Sequence, residues 1–408
     1  MPLSHSTDNG GEDNDLAKLK IKRLREDFVV NEVSNFEISS GQFAVYRLDK
    51  EGIGTPEAIN EILRSWNLPR HAIAYGGLRD RHAVTSQTIT IHRGPKQALN
   101  QRSFTLAYIG QAPREFRAAD IAANQFTIAL RNLQPDQAER MLASLPVAAT
   151  GVPNYFDDQR FGSLGESRQF VAHPWCLGDY ERTLFLAIAE ANVHDAPRER
   201  EQKALLRNFW GNWKTCKDKL DRSHRRSIVT YLLDHPTDFR RAVALLRIDL
   251  RSLYVAAFQS QLWNELVGRL WQLELGNDTV MQLEGAGGPL VFPKLYHSET
   301  AAKFRDMSVP LPSARQHQWP GQTLTLLEQV LERYGMQPNQ IRLKFPRDTF
   351  FSKGQRRVLL VPINLVGKVS QDELETQDRC KLSIEFSLER GCYATMLLKW
   401  LEHFSKLS

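Results

Sequence analysis

The sequence predicts a mixed α/β protein of the α+β kind, in which a helix-rich domain is inserted into a strand-rich one. Three observations predict it. Strand-like alternation dominates the first 130 residues or so, helical spacing takes over from about Arg160, and strand patterns return between Arg357 and Leu388. The economical explanation is a helical domain inserted into an α/β domain whose final strands come from the C-terminus. At 408 residues the chain is also long enough for two or three domains.

The elements follow in order. Met1 to Asp15 is rich in Ser, Asp, Asn and Gly without an apolar stretch, so residues 1–17 read as a disordered tail rather than a signal peptide. Asp27 to Val33 is β-rich, and Gln42 to Leu48 alternates like a strand. Thr55-Pro56-Glu57 reads as a helix start, with Thr55 as a hydroxyl cap, and Ile59, Ile62, Leu63 and Trp66 recur at helical spacing. Thr88 to Arg93 and Asn124 to Leu130 read as strands. Glu181 to Ala191 is rich in Leu, Ala and Glu, and Tyr254 to Leu270 carries an apolar helical stripe. Glu284 to Pro320 is Gly/Pro-rich and reads as loop. Arg357 to Pro362 and Lys381 to Leu388 close the chain as strands.

The bulk numbers narrow the function. Apolar and charged fractions of 42% and 25% are those of a soluble globular protein, and a formal charge of +6 suits a polyanionic partner. No apolar run reaches the ~20 residues of a membrane helix. The four cysteines form no CxxC pair, so neither a zinc ribbon nor a disulfide framework is indicated, which fits a reducing cytoplasm. No GxxxxGK[ST], GxSxG or HExxH pattern occurs, so phosphate-loop, serine-hydrolase and zincin chemistries have no motif to stand on. No metal and no cofactor are expected. Pro197 to Arg226 is basic, with Phe209, Trp210 and Trp213 interleaved. Cations bind phosphate and aromatic faces stack bases, so the mixture suits RNA; the competing reading is a solvated helical face with its aromatics in the core.

The most informative segment is GGLRDRHAVTSQ, Gly76 to Gln87. It sets one carboxylate, Asp80, between Arg79 and Arg81, on a connection between a helix and a strand. Nearby positive charge keeps such an aspartate ionised, ready to act as nucleophile or base. The competing reading is a surface turn with an exposed ion pair. Aspartate chemistry combined with cations and aromatics suits an enzyme acting on a nucleobase drawn from its stack. The residues alone leave two readings open, an RNA-binding enzyme and an RNA-binding module.

The segment resembles the signature of the TruD family of tRNA pseudouridine synthases, usually written with Ala-Gly-Leu-Lys-Asp in its first half. Other blocks resemble the family in order: Lys22 with EDFVVNE (Glu26 to Glu32), Asn124-Gln125-Phe126 followed by Arg131, PNYFDDQRFG (Pro153 to Gly162), AAFQSQLWN (Ala256 to Asn264), GQRRVLLVP (Gly354 to Pro362) and FSLERGCYAT (Phe386 to Thr395). The resemblance implies a pseudouridine-synthase-type catalytic domain with a mixed, largely antiparallel sheet, carrying an inserted helix-rich TRUD domain. The expected spans are 18–155 and 348–408 for the catalytic domain and 156–347 for the insertion. It implies isomerisation of uridine to pseudouridine, at position 13 of tRNA for the usual bacterial members, without metal or cofactor. The expected state is a cytoplasmic monomer, with tRNA in a basic cleft.

The resemblance makes Asp80 the catalytic carboxylate. It gives Lys22, Phe28, Asn124, Phe126 and Phe386 to substrate binding, with Phe126 stacking the base, and Arg79, Arg81 and Arg160 to RNA contact. Each has a plainer reading: core phenylalanine, strand-start asparagine, surface lysine, or an arginine bracing a domain junction. The sequence departs from the family pattern at Arg79 (usually Lys), Ala123 and Asp157 (usually Gly) and Ser167 (often Asn). An RNA-binding or RNA-folding protein on the same scaffold, and the same isomerase acting on another RNA, stay as alternatives. An aspartate-dependent glycosidase would want a second carboxylate, and the loop offers none.

Overall fold

The computed structural model describes residues 20–21, 23–294 and 298–406. The expected tail at 1–17 and the candidate Lys22 lie outside them. The described chain forms two compact units, one within Met1–Ala149, Pro362–Ala394 and Leu401–Ser408, the other within Thr150–Val361 and Thr395–Trp400.

The first unit is built on a sheet of ten described strands. Its elements are β1 (Lys20–Ile21), β2 (Phe28–Ser34), β3 (Phe43–Lys50), α1 (Thr55–Ser65), β4 (Ile73–Tyr75), β5 (Val84–His92), β6 (Leu99–Asn100), β7 (Phe104–Ala112), β8 (Ile121–Leu133) and α2 (Pro135–Ala148), joined by the later strands Ile363–Gln371 and Cys380–Glu389. From one edge the order is Ile363–Gln371, Cys380–Glu389, β8, β2, β5, β3, β7, β6, with β1 beside β8 and β4 beside β5. β2 and β5 run parallel; the other described pairs in this sheet are antiparallel. The mixed, largely antiparallel sheet is the expected one.

The alternation read in the sequence becomes two unlike faces. Along β8, Asn124, Phe126, Ile128 and Leu130 are buried, while Gln125 is exposed and Thr127 and Ala129 are half-buried. An antiparallel strand with one packed face shows this period of two. At one end of the packed face, Ala58, Ile59 and Ile62 of α1 bury against Tyr46, Leu48, Ile89 and Ile91. At the other, a side chain at Gly367 would come within 2.6 Å of Leu145 in α2, so glycine lets that helix lie close to the sheet.

The start of α1 differs from expectation. Gly54, not Thr55, is the cap residue, and Thr55 is the first helical residue. Its hydroxyl is used elsewhere: Oγ1 donates to Gln87 Oε1 at 2.9 Å and accepts from the Arg79 amide at 3.0 Å. A tertiary demand has taken the group that local capping would have used.

Arg131, at the end of the Asn124–Arg131 block, is buried among carboxylates. Its Nε donates to Asp27 Oδ1 at 2.8 Å, Nη1 to Asp372 Oδ1 at 2.7 Å and Nη2 to Glu373 Oε1 at 3.2 Å. Burial works to raise the Asp372 carboxyl, but the amides of Asn132 and Leu374 and the Arg131 guanidinium outweigh it and hold it below the usual carboxylate range.

The second unit is helix-rich. Its longest helix, Ile248–Leu275, buries residues on nearly every side, among them Phe258, Trp263 and Trp271. The AAFQSQLWN block on this helix serves as a brace. Gln259 Nε2 donates to the carbonyls of Pro312 and Ser352 at 2.9 Å, and the Asn264 amide both accepts from and donates to the Phe156 backbone at 2.9 Å. Asp157, where glycine is usual in the resembled block, has φ −88° and needs no glycine. It instead accepts from Thr395 Oγ1 at 2.5 Å and pairs with Lys399 at 3.1 Å.

One expectation for this unit is corrected. The 284–320 segment is not all loop: it contains strand Leu290–Pro293, helix Ser298–Arg305 and strand Ser308–Pro310. In the basic stretch, Trp210 packs against Phe185, Trp213 and Phe239, and Trp213 is 4% exposed. Trp213 is therefore core, while Trp210 is half-buried beside it. Arg198, Lys203 and Arg225 pair with Asp221, Asp195 and Glu199. No helix of the described residues is long and apolar enough to cross a membrane.

Arg131→Met strands two buried carboxylates, so unfolding in denaturant should show a loss of about 3–5 kcal/mol at pH 7. The deficit should shrink as pH falls and Asp372 protonates. A loss below about 1 kcal/mol would mean the cluster is solvated rather than buried.

Candidate active site

The Asp80 loop spans residues 76–83, from the end of β4 to the start of β5. Strand register decides what it faces. Lys50 of β3 pairs with Thr85 of β5, Thr85 with Val30 of β2, Val30 with Phe126 of β8, and Phe126 with Phe386. Residues paired this way point to one face of a sheet. Lys50, Thr85, Val30, Phe126 and Phe386 therefore form a single row across five strands. Beside it lies Glu32–Asn124–Leu388. Four of the sequence candidates, Phe28, Asn124, Phe126 and Phe386, thus share the packed face. Phe28 joins it through Ile128, its partner on β8.

The loop is tied to this face by its own backbone. Gln87 Nε2 donates to the Gly77 carbonyl at 3.3 Å, and the Arg79 amide donates to Thr55 Oγ1 at 3.0 Å. Lys50 Nζ donates to the carbonyls of Ile53 at 2.9 Å, Arg79 at 3.4 Å and Asp80 at 2.8 Å. Of the two glycines, only Gly76 is required by packing. A side chain there would come 2.6 Å from Ile121 and 2.9 Å from Phe116, whereas nothing lies within 4 Å of one at Gly77.

The charged side chains of the loop divide. Arg79 turns to β2, where its Nη2 reaches Glu32 Oε2 at 2.5 Å; the Glu32 side chain is fully buried and also accepts from the Thr88 amide at 2.9 Å. Arg81 Nη2 reaches Glu57 Oε1 at 2.8 Å, both half exposed, a contact worth little in water. Both arginines expected to meet RNA therefore already hold a protein carboxylate. Asp80 Oδ1 accepts from the His82 amide at 3.0 Å, which orients the carboxylate. Leu78, two residues before it, is 66% exposed.

Three polar side-chain atoms on or beside this face are buried without a hydrogen-bond partner among the described residues: Arg79 Nε, Thr85 Oγ1 and Asn124 Oδ1. The aromatics next to them pack on one another. Phe126 stacks on Phe386 with centroids 5.3 Å apart and 20° between planes, and meets Phe28 edge-on at 6.2 Å. All three are under 8% exposed. Arg160 belongs to the other unit, where its guanidinium sits 5.5 Å over the Phe156 ring.

Sequence reasoning missed Glu32, Lys50, Thr55, Thr85 and Gln87 as parts of this arrangement. One signal was available for Lys50. Tyr46, Leu48 and Lys50 share the inward positions of β3, and a lysine there, 3% exposed, needs polar company. Burial pushes its ammonium down to about 8, against the pull of the Asp80 and Glu57 charges and with the push of Arg79.

With this geometry in hand, comparison with known proteins is decisive. The family model described as tRNA pseudouridine synthase D (TruD) matches residues 12–401. The chain belongs to the TruD family. It is 27% identical over 390 residues to a protein named "Probable tRNA pseudouridine synthase D 1" of Methanococcus maripaludis, covering 93% of this chain and 98% of that one. It is 27% identical over 393 residues to the tRNA pseudouridine synthase D of Leptospira interrogans, covering 93% and 95%. The crystal structure of the TruD protein of Methanosarcina mazei superposes with a TM-score of 0.70 at 23% identity, covering 95% of this chain and 93% of that one, which establishes the shared fold.

Glu32→Ala removes the acceptor of both Arg79 and the Thr88 amide. Hydrogen exchange of the amides at 76–82 should quicken by about tenfold or more, equivalent to ~1.4 kcal/mol of lost local protection. Unchanged exchange there would show that Glu32 does not hold the loop.

Proposed function

We propose that this chain isomerises uridine to pseudouridine in tRNA, at position 13, with Asp80 as the reacting carboxylate. Membership of the TruD family, whose members are pseudouridine synthases, supports the reaction. The observation that carries the assignment to this face is the group of buried polar atoms without a hydrogen-bond partner among the described residues. Leaving such an atom unpaired costs about 1–3 kcal/mol, so a cluster of them persists where a ligand completes the hydrogen bonds. The Asn124 carbonyl oxygen suits the N3–H of uracil. Cytosine presents an acceptor at N3, so two acceptors would face each other and cytidine is disfavoured. Thr85 Oγ1 and Arg79 Nε can serve a uracil carbonyl, the ribose or the adjacent phosphate. The Phe28, Phe126 and Phe386 rings offer an apolar wall to a base drawn from its stack.

The reaction is a rearrangement with no net oxidation and no water consumed. The C1′–N1 bond breaks, the ring turns, and a C1′–C5 bond forms. C5 loses a proton and N1 gains one. An ionised Asp80 adds either to C1′ of the ribose or to carbon 6 of the ring and is regenerated in both routes. The His82 amide on Oδ1 orients the carboxylate. Cys176, Cys216 and Cys380 are free thiols, which supports a reducing, cytoplasmic setting.

Pseudouridine mapping in tRNA from cells with and without the protein should lose the modification at position 13 when the chain is absent. Purified Asp80→Asn, which keeps the size and the His82 hydrogen bond, should make no detectable pseudouridine while binding tRNA within about threefold of wild type. Full activity of that variant would remove Asp80 from the mechanism. Asn124→Ala should lower kcat/KM by about 10- to 100-fold, the cost of one lost hydrogen bond to the base.

A further inference from the structure

We propose that Lys50 is a positioning residue of the reaction: its ammonium gathers the carbonyls of Ile53, Arg79 and Asp80 and thereby fixes the aim of the Asp80 carboxylate. The inference rests on the assignment of Asp80 as the reacting group. Three observations carry it. First, an ammonium has three protons, and Lys50 Nζ has three carbonyl acceptors, at 2.9, 3.4 and 2.8 Å. With all three protons committed, it acts as a clamp and has no proton to donate to substrate. Second, two of those carbonyls belong to Asp80 itself and the residue before it. A shift of either peptide plane therefore swings the carboxylate. Third, the lysine is 3% exposed, at the end of the row that runs through Thr85 and Val30 to Phe126 and Phe386. The clamp and the aromatic wall stand on one rigid sheet.

The clamp works only while charged. A neutral amine has two protons for three carbonyls and turns its lone pair toward one of them. The charges facing Lys50 are Asp80 and Arg79 from the loop and Glu57 from α1; its cross-strand neighbours, Thr85 and Phe104, carry none. Burial brings its titration down to about 8, inside the range an assay can scan. The sign distinguishes positioning from folding. A base whose folded value is depressed costs the fold stability while protonated, and that cost fades as pH rises from about 8 toward its ordinary value. Global stability from this group therefore does not fall above pH 8, while the clamp does.

The test uses single-turnover pseudouridine formation on full-length tRNA, with tRNA affinity and thermal melting measured on the same proteins. Wild type should lose rate as pH rises through about 8 with unchanged tRNA affinity. Lys50→Met should be slower at pH 7 by about 100-fold, the scale of an ångström-sized misplacement, with tRNA affinity within about threefold and the alkaline limb gone. Lys50→Arg keeps the charge at all assay pH values, so its rate, reduced by the altered geometry, should be flat from pH 7 to 8.5, below the titration of the uracil N3–H. If Lys50→Met fails to fold, the wild-type and Lys50→Arg profiles decide. A wild-type rate at pH 7 in Lys50→Met, or an alkaline limb that persists in either variant, overturns the proposal. Failure of wild type to modify any tRNA would instead overturn the underlying reading of function.

Discussion

The register of β8 is the constraint on which the rest of the first unit depends. Asn124 and Phe126 face the packed side only because β8 meets β2 at Phe126–Val30 and the strand Cys380–Glu389 at Phe126–Phe386. A slip of one residue would turn both to the solvated face and bring Gln125 and Thr127 inside. Two things oppose the slip. Ile128 and Leu130 would leave the core, at about 1.5–3 kcal/mol each. Arg131 would also lose the three carboxylates gathered around it, and buried charges without partners are among the largest penalties a fold can carry.

The loop that carries Asp80 is held by a different principle. Apolar packing fixes its start, where Gly76 lies against Phe116 and Ile121. Beyond that, side chains from β3, α1 and β5 grip backbone groups: Gly77 by Gln87, Arg79 by Thr55 and Lys50, and Asp80 by Lys50. Backbone hydrogen bonds fix peptide planes, so they fix direction as well as place. A carboxylate proposed to meet one carbon of a bound nucleotide needs that direction set before substrate arrives.

Several blocks that look like chemistry in the sequence are scaffolding. Gln259 and Asn264 of the AAFQSQLWN block spend their amides on backbone, and Trp213 of the basic stretch is buried against Trp210. Polar side chains recur at such buried positions because backbone groups outside helices and sheets still need partners. A motif alone therefore does not distinguish a brace from a site. On or beside the packed face of the first unit, Arg79 Nε, Thr85 Oγ1 and Asn124 Oδ1 are buried without a partner among the described residues.

The sequence by itself determined the class of fold and the loop at Asp80. Alternation and helical spacing are local, period-two and period-3.6 signals that survive without knowledge of neighbours. It also located the β8 strand and its candidate pair, Asn124 and Phe126, whose alternation assigns them to the same face. Only the tertiary structure decided which cations meet which carboxylates. Arg79 flanks Asp80 in sequence but reaches Glu32, and Lys50, 30 residues away, is the cation on the Asp80 backbone. It also moved the Thr55 hydroxyl from helix cap to loop anchor. The physical reason is that a buried polar group takes whichever partner the folded chain brings within about 3 Å, and strand pairing between distant segments sets that choice.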